Sequence, residues 1–247
     1  WGRGQETYGE DTYLTGRLAV QFIRGLQGDD PNYFKTIATV KHYAVHSGPE
    51  PERHVFDAVT SERDFREMYL PQFEMGIKQG KAYSVMCAYN RYNGDPCCGS
   101  EGMLTDILRN EWGFDGYVVS DCEAITDIYK FHKVVETPEE AAAMAVKAGC
   151  DLECGRVYEN LKTAVQKNLI SEAEIDTALR RLLIARFKLG MFDPDEKVSY
   201  AQIPYSVVDS KQHRDLALEA ARKSIVLLKN TKNTLPLKKD LKTIAVI

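Results

Sequence analysis

Between residues 36 and 154, short apolar runs alternate with segments of helical period, and no other feature constrains the fold of this chain as tightly. The runs fall at residues 37–40, 83–88, 117–119 and 150–154. Tyr117, Val118 and Val119 show no polar alternation, as expected of a parallel strand covered on both faces. Between the runs, Ser61 opens a helix whose apolar face is Phe65, Met68, Tyr69, Phe73 and Ile77, closed by Gly80. Met103, Leu104, Ile107 and Leu108 mark a second helix. A third begins at Thr137-Pro138-Glu139-Glu140, with an N-cap, a proline at the first helical position and acids in the first turn, and it ends at Gly149. Alternation at this spacing predicts βαβ units and a parallel sheet.

Three of the runs end in polar groups: Lys41-His42, Tyr89-Asn90 and Ser120-Asp121. In a parallel sheet these ends project from one edge, where α/β barrels carry their chemistry. Asp121 could instead simply cap the helix that starts near Glu123. The shared edge favours a site. The stretch 43–58, with Gly48 and two prolines, is expected to be a long loop, and loops of that length are usually functional.

Outside the alternation, residues 1–11 read as a Gly-rich loop, and a helix over 13–26 carries Leu14, Leu18, Phe22 and Leu26 on one face. Helices are expected over 158–167, from the capping box Ser171/Glu174 to Gly190, and over 210–229. Residues 243–247 read as an apolar strand. A complete (β/α)8 barrel needs about 250 residues, so the fold class is α/β: the C-terminal part of a TIM-like barrel, with further segments expected before Trp1 and after Ile247. A partial barrel leaves a sheet edge open, which predicts poor solubility or association for this segment alone.

With a net charge of −4 over 247 residues and scattered Lys and Arg, no nucleic-acid or membrane-surface patch is indicated. No apolar run approaches the ~20 residues of a membrane span. The six cysteines, at 87, 97, 98, 122, 150 and 154, are too few for a disulfide scaffold and lack zinc-site spacing. Free or partly buried thiols are expected, with one or two disulfides if the protein is exported. The compartment stays open. His42-x3-His46 has no third ligand at suitable spacing, so no metal or cofactor is expected.

Five motifs, in order and spacing, resemble glycoside hydrolase family 3: Trp1 to Asp11, the Lys41-His42 strand end, Met86 to Asn90 with Asn93-Gly94, Trp112 to Asp121, and Ser224 to Asn230. The resemblance spans essentially the whole chain. It implies that residues 1–195 are part of the catalytic barrel, 196–222 a linker and the start of a connecting helix, and 223–247 the truncated beginning of an α/β sandwich. It places the nucleophile of a retaining glycosidase on Asp121 and sugar-hydroxyl contacts on Arg3, Lys41, His42 and Tyr89. Lys41 and Arg3 would also keep Asp121 ionised. Cys122, where many β-glucosidases carry Trp, is similar to the xylosidase branch and would shape a pocket against the hydroxymethyl group of glucose. Such packing is worth only ~1–3 kcal/mol, so β-glucosidase or α-arabinofuranosidase activity is an open alternative.

The resemblance puts the acid/base Glu in the second domain, beyond Ile247, so the partner expected is an oligosaccharide or aryl glycoside held jointly with the missing segments. A homodimer is left open. Single-domain N-acetylhexosaminidases of the family use an Asp-x-His acid/base in the loop after Lys-His, whereas Glu52 and His54 stand there in this chain. The contrasting class is a non-catalytic carbohydrate-binding remnant with idle strand ends.

Overall fold

A computed structural model describes residues 4–46 and 48–245. The chain divides into two compact units, Trp1–Ala201 and Gln202–Ile247. In the first, strands β1 (Thr39–Tyr43), β2 (Ser84–Cys87) and β3 (Tyr117–Ser120) form a parallel sheet in that order. The register pairs Thr39 with Ser84 and Val85 with Val118, and it sets Cys87 beside Ser120. All three strands therefore end along one edge, as the alternation predicts.

The run at 150–154 differs from expectation. Only Leu152 bridges in parallel to Val119. The Val118 N–H that a regular ladder would use is taken by the Asp151 carboxylate at 2.8 Å. That buried carboxylate also accepts from Arg109 at 2.7 Å and Arg181 at 2.8 Å, so it is paired as a buried charge must be. The run is thus tied to β3 both by backbone bonds, from the Leu152 N–H to Val118 O at 3.0 Å and from the Ser120 N–H to Leu152 O at 2.8 Å, and by this side chain.

Helix α1 (Thr12–Gln27) is capped by Asp11, which accepts from the Leu14 N–H at 2.6 Å. It buries Gly16, Val20, Ile23 and Gln27; of the expected face, Leu14, Leu18 and Phe22 are exposed and Leu26 packs partly buried against the core. The helix carries two apolar stripes, and the one containing Gly16 packs closely on Met75.

The helix expected over 61–80 is interrupted. A turn at Glu62–Asp64 widens into a π segment, Phe65–Tyr69, before α2 (Pro71–Lys78) resumes. Pro71 has no N–H for the ladder, and Leu70 bonds back to Phe65 instead, at 3.0 Å. Gly102–Glu111 is likewise a π-helix. After β3 come α3 (Ala124–Lys130) and α4 (Pro138–Ala148). The Thr137/Glu140 box at the start of α4 is formed in both directions, and Gly149 ends it in the left-handed region at φ 110°. Then follow α5 (Leu161–Gln166) and α6 (Glu172–Lys188), the latter with its Ser171/Glu174 box.

The core lies where these helices cover the sheet. Tyr43, Phe65, Leu104, Leu108, Val118, Ile125 and Ile128 are fully buried. Each such large apolar side chain contributes about 1.5–3 kcal/mol. Small residues on α4 (Ala141, Ala142, Ala145) are buried without any exposure, which lets that helix lie close to the sheet.

Two expectations fail in the second unit. Helix α7 (Lys211–Ser224) stops before residue 229, because the chain turns extended at Ile225 with φ −74° and ψ 123°. A β-branched pair, Ile225-Val226, disfavours further helix. Residues 243–245 are not a strand, since strand hydrogen bonds need a partner and the described residues of this unit supply none; Val246 and Ile247 lie outside the described residues.

The cysteines also depart from the free-thiol expectation. Cys87–Cys98 and Cys122–Cys154 are disulfides, with Cα separations of 5.2 and 4.3 Å, while Cys97 and Cys150 are free and buried. The fold brings together sulfurs that sequence spacing cannot pair.

Candidate active site

Asp121 follows directly on β3 at the polar edge of the sheet. Its Oδ1 accepts the Cys122 N–H at 2.8 Å. His42, from β1, brings Nε2 to 3.1 Å from Asp121 Oδ2. That contact has ion-pair distance without the alignment of a hydrogen bond, which leaves Oδ2 buried and free of well-formed bonds. A buried acceptor of this kind is costly unless something else uses it.

Burial works to raise the Asp121 pKa, but the nearby His42 imidazole, the Cys122 N–H and the Tyr89 hydroxyl together outweigh it and hold the carboxyl below its ordinary value. The group is therefore an ionised carboxylate over the neutral range. After it, Glu123 takes the left-handed region at φ 65° and donates its N–H to Cys154 O at 2.7 Å. A non-glycine residue held there marks a turn fixed by its surroundings. The Cys122–Cys154 disulfide ties the same turn.

Tyr89 follows β2, and its hydroxyl donates to the Cys122 carbonyl at 2.7 Å. Burial first, and then the Asp121 charge, pushes its pKa up to about 12, so it remains a donor. His42 packs its ring on His46, with centroids 4.3 Å apart. The Lys41 ammonium meets Glu6 at 2.7 Å, so the groups that keep Asp121 ionised are led by His42. The structure thus gathers Asp121, His42, Tyr89 and Cys122, and it sets Lys41 beside Glu6. Arg3 lies outside the described residues.

Sequence reasoning missed a neighbouring pair, His54 and Asp127, joined at 2.8 Å between Nδ1 and Oδ2. No spacing signal links residues 73 positions apart. A separate cleft lined by Phe65, Arg66, Tyr92 and Ile107 contains none of the site residues. Among the described residues there is no cluster of three or more His, Cys, Asp or Glu side chains that could hold a metal ion, and no helix long and apolar enough to cross a membrane.

A parallel sheet with helices packed on it and a buried, ionised carboxylate at its C-terminal edge defines an α/β protein of TIM-barrel type. Residues 1–185 match the glycosyl hydrolase family 3 N-terminal domain, and the chain belongs to that family. It is 50% identical over 251 residues to a xylan 1,4-beta-xylosidase of Xylanibacter ruminicola, covering 100% of this chain and 29% of that protein. It is 42% identical over 260 residues to a probable beta-D-xylosidase 7 of Arabidopsis thaliana, covering 100% of this chain and 34% of the other. Among solved structures, a family 3 exo-beta-xylosidase in complex with a xylobiose aziridine probe superposes with a TM-score of 0.92 at 38% identity, over 98% of this chain and 32% of that one. A beta-glucosidase from Listeria innocua in complex with glucose gives 0.85 at 32% identity, over 96% and 33%. The chain spans about a third of the length of the curated relatives it matches.

Proposed function

We propose that this chain carries the nucleophile of a retaining glycosidase that removes non-reducing-end β-linked sugars, with xylose the preferred one. The observation that carries this reading is Asp121 itself: an ionised carboxylate at the mouth of β3, with Oδ1 bonded to a backbone N–H and Oδ2 left for a reacting atom. A carboxylate oxygen attacks the anomeric carbon as the bond to the leaving oxygen breaks. A second carboxyl about 5–5.5 Å away gives that oxygen its proton and later takes one from the water that hydrolyses the glycosyl ester. The acid/base is assigned to a Glu of the second domain, outside this chain. Residues 1–195 are the barrel portion, 196–222 the connection and 223–247 the start of that second domain.

His42 and Tyr89 hold hydroxyls of the sugar beside Asp121, and Lys41 with Glu6 offers a charged pair at the rim. Cys122 contributes through its disulfide rather than as a small free side chain, and the bridge to Cys154 makes a fixed wall against a hydroxymethyl group. Family relatives named as beta-xylosidase/alpha-L-arabinofuranosidase support an arabinofuranosidase side activity as the second reading.

The test is mass spectrometry of the full-length protein after incubation with a 2-fluoro-xyloside inactivator. A covalent sugar on Asp121 supports the reading. Labelling only by the gluco analogue keeps the mechanism and overturns the pentose preference. No label from either favours a non-catalytic remnant.

A further inference from the structure

Tyr89 is held from two sides by side chains of the loop that follows β1. The Arg53 guanidinium lies 5.0 Å from its ring centroid, and the His54 ring meets it edge-on at 5.1 Å. His54 is itself fixed through Nδ1 to Asp127 Oδ2 at 2.8 Å. The Asp127 side chain is 1% exposed and that of His54 41%, so the carboxylate is an anchor rather than a solvated surface partner. Asp127 sits on α3, the helix that starts just after Asp121, Cys122 and Glu123. The Tyr89 hydroxyl closes the circuit by donating to Cys122 O at 2.7 Å.

We infer that His54 and Asp127 form a positioning pair that sets the Tyr89 ring, and through it the hydroxyl at the nucleophile. The inference rests on the reading of Asp121 as the nucleophile. The pairing through Nδ1 fixes the orientation of the His54 ring, and it is this orientation, not a proton transfer, that the inference concerns. The burial of Asp127 explains the arrangement: a carboxylate in that position must be paired, and the ring it pairs with is the one that abuts Tyr89. Arg53 is engaged by Glu50 at 3.1 Å, so the cation over Tyr89 belongs to the same braced loop. The geometry gives the loop 50–56 one purchase on the sheet edge through Tyr89 and a second on α3 through Asp127.

A residue that acts through Tyr89 must lose its effect when the Tyr89 hydroxyl is gone. The test is a double-mutant cycle in the full-length protein with an aryl β-xyloside: H54A, Y89F and the double variant, each resolved into kcat and KM. H54A is expected to lower kcat about tenfold with little change in KM, because misplacing a group near the reacting atoms costs rate rather than affinity. In the Y89F background the same substitution is expected to cost less than about twofold. If H54A does not fold, H54N carries the cycle, since its amide keeps a donor towards Asp127 while removing the ring from Tyr89. Equal losses in both backgrounds overturn the inference, as does an unchanged H54A in an active protein. A wild type that hydrolyses neither xyloside nor glucoside overturns the functional reading and this inference with it.

Discussion

His42 Nε2 lies 3.1 Å from Asp121 Oδ2 although their strands are not neighbours: β1 and β3 are separated by β2. Both stand at the polar ends of their strands, along the one edge where the sheet terminates. A contact made across an intervening strand depends on the whole sheet, which is why a short carboxylate and a short imidazole can meet while the longer Lys41 goes to Glu6. Removing the imidazole should therefore be felt at Asp121, the proposed nucleophile. His42→Ala in the full-length protein is expected to lower kcat/KM for an aryl β-xyloside about 10²-fold, the usual cost of one lost donor at a developing charge. Steady-state kinetics at neutral pH check this, and a change under about threefold would remove His42 from the site.

The acid limb of the pH–rate profile should report Asp121. Its folded pKa is depressed below the ordinary 3.8, because burial is outweighed by the His42 imidazole, the Cys122 N–H and the Tyr89 hydroxyl. Under the proposed mechanism Asp121 must be ionised, so the activity that depends on it is fully present above 3.8 and is lost only as pH falls through the lower folded value. In His42→Ala the group that most favours the charged form is gone while burial remains. The limb should then move to higher pH. A limb that stays in place after the substitution would show that another group controls it.

The disulfides give two readouts. Two of the six cysteines, Cys97 and Cys150, are free, so denatured but unreduced protein should offer two thiols from this segment to an alkylating agent, and all six after reduction. Cys150 Sγ lies 4.0 Å from Cys87 Sγ, yet burial pushes its thiol up to about 12, so exchange with the Cys87–Cys98 bridge is not expected in the native state. Cys154→Ser opens a bridge spanning 32 residues and should lower stability by about 3–4 kcal/mol on loop-closure grounds. It also frees the wall beside Asp121, so glucoside hydrolysis should rise relative to xyloside by up to about tenfold. A stability loss with an unchanged ratio would make the bridge purely structural.

The parts of this chain that were legible in the sequence are those fixed by local physics. The Thr137 and Ser171 capping boxes and the strand ends at His42 and Asp121 follow from periodicity and polarity switches. What was not legible depends on three-dimensional competition. The Asp151 carboxylate takes the Val118 N–H, and the expected strand at 150–154 is reduced to a single bridge at Leu152. Gly16 selects which of two apolar stripes on α1 is buried. The His54–Asp127 pair joins a loop to a helix, and although the family resemblance draws attention to His54, nothing in the sequence links it to Asp127. Disulfide pairing was illegible for the same reason.

His132 closes the set of titratable groups around the site. It is 7% exposed, neither ring nitrogen makes a well-formed hydrogen bond, and burial first, then the Arg91 charge, pushes its pKa down to about 4 from 6.5. Proton uptake by the unfolded chain sets the direction of the effect. Above 6.5 both folded and unfolded forms are neutral and nothing is lost; as pH falls from 6.5 towards about 4 only the unfolded chain takes up the proton, and stability declines. The decline amounts to ~3.5 kcal/mol at most, since holding one proton off costs about 1.4 kcal/mol for each pH step of one across that window. His132→Leu removes the titration while keeping an apolar filling of similar size. Urea melts at pH 7 and pH 5 should therefore differ less for the variant than for the wild type. Equal pH differences for the two proteins would show that acid sensitivity arises elsewhere.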